Sequence, residues 1–384
     1  MTATLPAPRY GQASLADLGC ALLRATGVTD EPDVISLPSA ARVCLLVVDA
    51  LGWEALTAHA DLAPFLHRAA RSDPLDAAFP TTTAASLGAI GTGRPAGVHG
   101  LTGATVALAD HTRPMNVLAW KLHGVGPRVH LDETVVPEAF QPAPTVFERA
   151  AAAGLRPVAV GPSKHAGSGL SRAIMRGAVQ VEADTPADLV TLTLGALAAA
   201  ERRLVYAYHG GLDRVGHIHG VNSAQWRREL ARIDALVARL AHELPDATLL
   251  MVTGDHGMVD VPRARQVEVT DHPELMEGVR VLAGEPRCRH VHTQPGAAST
   301  VLAAWGSQLG AVAAVVSREE AVQAGWYGPH VPDRVRGRIG DVVAVATDAI
   351  AIVQKHVDPQ QRELVGHHGA LTDAERLVPL VVVA

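Results

Sequence analysis

Cysteine is scarce in this 384-residue chain, and the three present, Cys20, Cys44 and Cys288, stand far apart. No pair has the short spacing of a zinc knuckle or a redox dithiol, so a disulfide framework is not expected and a reducing, cytoplasmic setting is. Aromatic residues are few, with 5 Trp, 4 Tyr and 4 Phe, which leaves Ala, Val and Leu to fill the interior. No apolar run approaches the roughly 18 residues of a membrane span. The opening MTATLPAPRYGQASLADLG lacks the basic segment and continuous apolar stretch of a secretion signal, so a membrane is not an expected partner. Positive charge is not in excess either. Lys and Arg number 33 against 39 acids, a formal net charge of −6, which argues against a nucleic-acid polymer held by bulk electrostatics. With 48% hydrophobic residues and 19% charged, and with Gly and Pro dispersed along the chain, disordered and collagen-like classes are excluded as well. What the sequence has in plenty is histidine. An acidic protein gains little from 19 of them unless some titrate or bind metal.

The length fits two or three domains of about 150 residues, or one large α/β core with an insertion. Residues 42–48, RVCLLVV, form a short β-branched run ending at Asp49 and followed by Leu51-Gly52-Trp53, the pattern of a buried strand, a turn and a helix. Similar runs occur at 157–160, 204–208 and 247–253. Between them lie alanine-rich stretches, and 187–202 and 222–243 have the apolar spacing of helices packed on a sheet. Alternation of this kind predicts an α/β fold, a doubly wound and mostly parallel sheet flanked by helices. Beyond Val259 the pattern is broken by prolines until the apolar run 340–346. We therefore expect a catalytic core from 1–261 and 339–384, a smaller inserted α+β cap at 262–338, and a second excursion over the site at 104–145.

In doubly wound folds, ligands bind beyond the carboxyl ends of the strands. The residues with chemistry fall there: Asp49 after the first strand, Asp213 and His217 after 204–208, Asp255 and His256 after 247–253, and His367 and His368 near the end. Singly, each is an ordinary turn, cap or surface residue. As a set they are suited to metal. Asp213 and His217 are four apart, which on a helix puts both side chains on one face. Asp255 and His256 are adjacent, between Gly254 and Gly257, which give the backbone freedom to turn both inward. A further segment, Phe79-Pro80-Thr81-Thr82-Thr83-Ala84-Ala85-Ser86-Leu87, runs from a proline-stiffened approach into small residues. A hydroxyl at such a helix start is either a plain N-cap or a nucleophile set among free amides that welcome an anion.

Taken in order, VVDALGW at 47–53, FPTTT at 79–83 with GTGRPAGVHG at 91–100, DRVGHIHG at 213–220, VTGDHGM at 252–258 and GHHG at 366–369 resemble the alkaline phosphatase superfamily. Within it the motifs are most similar to the type I phosphodiesterase/nucleotide pyrophosphatase branch. The resemblance runs from about residue 43 to 369. It implies two divalent ions, with zinc the expected metal. One would be held by Asp213, His217 and His368, the other by Asp49, Asp255, His256 and Thr83. Thr83 would be the nucleophile, forming a phosphothreonine intermediate that water then releases, with the backbone N–H of Ala84 holding a phosphoryl oxygen. Thr81 and Thr82 are the neighbouring registers for the nucleophile, and His219 and His367 the neighbouring candidates for ligands.

The chain departs from the pattern at one place. Where the nucleotide pyrophosphatases usually carry an asparagine against a phosphate oxygen, this sequence has Ala104. No arginine in the matched motifs suits a phosphate dianion, and Arg94, after the Gly91-Thr92-Gly93 turn, fits a local cap or salt bridge. The expected substrate is therefore a small-molecule phosphodiester, pyrophosphate or phosphonate. The alternatives are a phosphonate hydrolase resembling phosphonoacetate hydrolase, which shares the metal set, and a metal-stabilised binding protein without turnover.

Overall fold

The computed structural model describes residues 5–28 and 30–384. Five strands, β1 (Arg42–Val48), β2 (Val158–Gly161), β3 (Val179–Glu182), β4 (Arg203–His209) and β5 (Thr248–Thr253), run parallel. A second sheet is built from β6 (Val279–Glu285), β7 (Cys288–Thr293), β8 (Ala313–Ser317) and β9 (Val342–Ala346), all antiparallel in the order β6-β7-β9-β8. The C-terminal strand β10 (Leu380–Val383) returns to the central sheet and pairs antiparallel with β5. The central order is thus β10-β5-β1-β4-β2-β3.

Strand β1 shows why its sequence reads as an unbroken apolar run. Its two faces are both covered, so residues of either parity must be apolar. Val43, Leu45 and Val47 join a core with Leu18 and Leu22 of helix α1 (Leu15–Ala25) and Ile90 of helix α2 (Thr83–Thr92). Cys44, Leu46 and Val48 join the opposite core with Leu189 of α3 (Pro186–Ala198) and Leu230 and Val237 of α5 (Ala224–His242). Between α3 and α5 in the chain, directly after β4, lies α4 (Gly211–His219). The helix starts are written locally. Ser14 and Asp17 form a capping box on α1, while the side chains of Thr185 and Ser223 accept from Asp188 N and Trp226 N to open α3 and α5.

The doubly wound, mostly parallel sheet agrees with the sequence reading, and four of its strands lie where the apolar runs placed them. Strand Val342–Ala346 is placed differently. The sequence reading resumed the core at 339, yet this strand pairs between β7 and β8 inside the second sheet. An apolar β-run does not say which sheet it joins. The excursion at 104–145 contains a small three-stranded sheet of residues 105–106, 115–116 and 121–122.

One buried ion pair ties the second sheet to the loops of the first. Arg287, in the turn between β6 and β7, is 1% exposed and donates Nε and Nη2 to the Glu375 carboxylate at 2.8 and 2.7 Å. Its Nη1 bonds the carbonyls of Asp348 and Ile350, both at 2.8 Å. Glu375 also accepts from Ala370 N and the Thr372 hydroxyl, and its own carbonyl takes the Gly257 amide at 2.8 Å. The pair is therefore connected to segments next to His256 and His368.

Candidate active site

The carboxyl ends of β1, β4 and β5 lie side by side, and the loops leaving them carry the acids and histidines picked out above. Asp49 directly follows β1, its amide bonded to the His209 carbonyl at 3.0 Å, and is 4% exposed. Asp213 and His217 sit on α4, one turn apart, with His217 Nε2 3.2 Å from Asp213 Oδ1. Asp255 and His256 follow β5 and are fully buried. A Cβ at Gly254 would lie 2.2 Å from the Leu51 carbonyl oxygen, and one at Gly257 2.0 Å from that of Ala374. Neither glycine has positive φ; what they give the loop is clearance for close backbone approach.

The histidines share a device. Nδ1 of His217 faces the Gly366 carbonyl at 2.8 Å, Nδ1 of His256 that of Gly257 at 3.0 Å, and Nδ1 of His368 that of Thr81 at 2.8 Å. A carbonyl can only accept, so each ring donates from Nδ1 and turns its Nε2 toward the acids. His256 and His368 stack with ring centroids 3.7 Å apart and 15° between planes. Nε2 of His256 stands 3.4 Å from Asp49 Oδ1, 3.7 Å from Asp255 Oδ2 and 3.3 Å from Thr83 Oγ1. His368 Nε2 lies 4.0 Å from Asp213 Oδ1. Two ligand groups result: Asp213, His217 and His368, and Asp49, Asp213 and His256, each with donor atoms within 4.8 Å of one another. Asp255 stands beside the second group, and Asp213 belongs to both.

Electrostatics supports a cation here. Burial raises the Asp49 carboxyl well above its ordinary range, and Asp213 and Asp255 raise it further. Burial likewise pushes Asp255 up to about 7. Asp213 is also opposed by burial, but the facing His217, His368 and His256 bring it below the carboxylate range. Burial, His256 and His217 hold His368 neutral, the form that coordinates metal. Asp49 Oδ1, Asp213 Oδ1 and Asp255 Oδ2 are buried with no hydrogen-bond partner. Against burial, Asp213 raises the His217 imidazole to about 9, so an ion bound here would take the place of its Nε2 proton. Three crowded acids with orphaned oxygens, faced by the Nε2 atoms of three imidazoles, fit divalent metal, and the His/Asp donor set suits zinc.

Thr83 is the first residue of α2 and 9% exposed. Helix α2 carries it into the core because its residues, TAASLGAIGT, are small enough to be buried on every side. A Cβ at Gly88 would meet His99 Cε1 at 2.6 Å, and one at Gly91 the Ile174 carbonyl at 2.6 Å. Of the neighbouring registers, Thr81 is committed elsewhere: its hydroxyl donates to Ala370 O at 2.8 Å and accepts from Gly369 N at 3.0 Å. Thr82 is the N-cap residue, and its side chain makes no cap hydrogen bond. His219 is exposed, and buried His367 turns its Nε2 to the Leu364 carbonyl; neither belongs to a ligand group.

A cleft of about 900 Å³ opens over Thr83, Asp49, Asp213 and His217. Its wall includes Lys164 and Arg214, both exposed, and the large apolar residues Leu118 and Ile218, which are 46% and 54% exposed. Leu118 comes from the 104–145 excursion. Arg94 is exposed and does not line the cleft, and Ala104 gives its amide to Glu285 Oε2 at 2.7 Å. Sequence reasoning missed Tyr208, whose hydroxyl donates to Asp49 Oδ2, and the two cleft cations. Arg214 could have been noticed, since it lies between Asp213 and His217. Lys164 and Tyr208 carry no motif.

A family model described as type I phosphodiesterase/nucleotide pyrophosphatase matches residues 43–371. The chain belongs to this family. Its fold is similar to that of murine ectonucleotide pyrophosphatase/phosphodiesterase 5, with TM-score 0.66 and 18% identity over 88% of this chain and 87% of that one. It is similar to the same degree to phosphonoacetate hydrolase from Sinorhizobium meliloti in complex with phosphonoformate, at TM-score 0.66 and 18% identity over 91% and 92%. In sequence, a 60-residue stretch is 35% identical to the catalytic subunit of human GPI ethanolamine phosphate transferase 3. That stretch is 16% of this chain and 6% of the human protein's length.

Proposed function

We propose that this protein is a two-metal hydrolase of phosphodiester or pyrophosphate bonds, with Thr83 as the nucleophile. The observation that carries the reading is the position of Thr83 Oγ1, 3.3 Å from His256 Nε2, at the head of α2 and on the floor of the cleft. Asp213, His217 and His368 would hold one ion, and Asp49, Asp255, His256 and Thr83 the other, with Asp213 near enough to serve both. Two divalent cations, zinc by the chemistry of the donor set, would supply positive charge to the phosphoryl oxygens and make the threonine hydroxyl more acidic.

The rest follows from the chain's own residues. Thr83 Oγ attacks phosphorus in line, forming a phosphothreonine as the bond to the leaving oxygen breaks. Water then attacks the same phosphorus and restores the hydroxyl. The first amides of α2, which have no intrahelical partner, point at the oxygens of the bound phosphoryl group. Tyr208 fixes one oxygen of Asp49 and leaves the other for metal. Lys164 and Arg214 give the cleft wall positive charge toward an anionic substrate.

The fold shared with phosphonoacetate hydrolase favours a second reading, cleavage of a carbon–phosphorus bond at the same centre. Zinc-loaded protein assayed side by side on bis(p-nitrophenyl) phosphate, a nucleotide pyrophosphate and phosphonoacetate separates the two. Turnover confined to phosphonoacetate would overturn the diesterase reading. Stoichiometric zinc with no turnover of any of them would leave a metal-stabilised binding protein.

A further inference from the structure

The cleft has two kinds of wall. Part of it is polar and open, with Lys164 and Arg214 exposed, but another part is apolar and closed. Leu87 lies one turn along α2 from Thr83, so both side chains stand on one face of that helix, and both line the cleft. The helix Gly169–Ile174 adds Leu170, Ile174 and its C-cap residue Met175, and β2 adds Ala159. Each of these five apolar residues is at least nine-tenths buried, and all belong to the core that β1 shares with α2. The hydrophobic core therefore opens into the cleft beside the nucleophile.

One polar atom is set into this apolar part. Tyr206 lines the cleft, is 4% exposed, and has its hydroxyl buried without a hydrogen-bond partner among the described residues. Buried tyrosine hydroxyls ordinarily find one. Its ring is held edge-on by Phe147, with centroids 6.1 Å apart and 83° between planes. Two residues further along β4, and so on the same face of the sheet, Tyr208 has its partner in Asp49. The two tyrosines stand about 6.6 Å apart along the strand. One holds an acid of the metal site, and the other keeps a donor and an acceptor unused. A sugar or a charged group would leave its own polar atoms unpaired against the aliphatic side chains, whereas an apolar ring bearing a single polar atom suits both the wall and the hydroxyl.

We infer that Tyr206 is a specificity-determining residue: the apolar part of the cleft takes an apolar, ring-sized ester group of the substrate, and the Tyr206 hydroxyl bonds a polar atom at that group's far end. The inference rests on the phosphodiesterase reading, since it places phosphorus at Thr83. Calorimetry with the zinc-loaded Thr83→Ala protein, from which the nucleophile is removed, measures the fit whether the group leaves or is retained. Phenyl phosphate should bind at least about tenfold more tightly than methyl phosphate, and 4-acetylphenyl phosphate at least about fivefold more tightly than phenyl phosphate. Adding Tyr206→Phe should erase the advantage of the acetyl group and leave the phenyl-to-methyl ratio within about twofold, at unchanged melting temperature, because the fold makes no bond to that hydroxyl. Phenyl and methyl phosphate binding alike, no acetyl advantage, or one that survives Tyr206→Phe would overturn the proposal. A zinc-loaded parent that turns over no diester would defeat the hydrolase reading instead, and the binding ratios would still decide the role of Tyr206.

Discussion

Replacing Arg287 by methionine tests how firmly the second sheet secures the site. The substitution keeps most of the side-chain length and removes four charge-assisted hydrogen bonds, two to Glu375 and one each to the carbonyls of Asp348 and Ile350. It leaves the Glu375 carboxylate buried with only Ala370 N and the Thr372 hydroxyl as donors. Breaking a buried pair from one side costs about 3–5 kcal/mol, because the remaining charge is desolvated and uncompensated. With an unfolding entropy of about 2.1 cal/mol/K per residue, that is a fall of roughly 4–6 °C in Tm for a chain of this length. Calorimetry on the metal-loaded protein measures it. Arg287→Met combined with Glu375→Gln removes both charges and should lose less than the two single changes together. Because Glu375 also holds Ala370 and Gly257, the single variant should retain less zinc after dialysis against a weak chelator. A Tm shift under about 1 °C, or strict additivity in the double variant, would refute the reasoning.

Thr83→Ala should abolish turnover while leaving zinc content and melting temperature near the parent values; surviving activity would move the nucleophile to Thr82, since Thr81 is bonded to the 369–370 backbone on both sides. His368→Ala should cost close to one equivalent of zinc by elemental analysis, whereas His367→Ala should cost none, and the reverse would exchange their roles. Stability should fall in acid, because burial holds several histidines neutral in the fold. His292, pushed down to about 3 chiefly by burial, is unprotonated in the native state where the unfolded chain takes up a proton below about pH 6.5. Its contribution is present above that pH and is lost as pH falls toward 3. His292→Leu, which sacrifices an Nε2 without a hydrogen bond, should therefore make the stability loss between about pH 6 and 4 shallower by about 1.4 kcal/mol per pH unit in denaturant titrations. Parallel curves for parent and variant would count against this.

The parallel core was legible because β1 must be apolar on both faces and because each ligand-bearing loop follows such a run. The convergence of Asp49, Asp213, His217, Asp255, His256 and His368 was legible for a related reason, since loops after parallel strands share one rim. Other features depend on contacts that no local pattern encodes. Val342–Ala346 has the composition of a core strand and takes its place in the second sheet only through its pairing with β7 and β8. Tyr208 reads as one more apolar strand residue until its hydroxyl is seen on Asp49. Glu285 lies 181 residues from Ala104, whose amide it accepts, in a stretch with no motif. The glycines around Asp255 and His256 were noticed, but the clearance they give from the Leu51 and Ala374 carbonyls is a property of the packed loops.

Helix α2 is enclosed by backbone and side chains along its whole length, whereas Leu118, Lys164, Arg214 and Ile218 stand open at the mouth of the cleft. The division separates what can vary from what cannot. A mutation on the reactive helix strikes a neighbour it cannot displace, while one at the rim meets mainly water. New substrate preferences can therefore arise at the entrance while the reacting centre beneath stays intact.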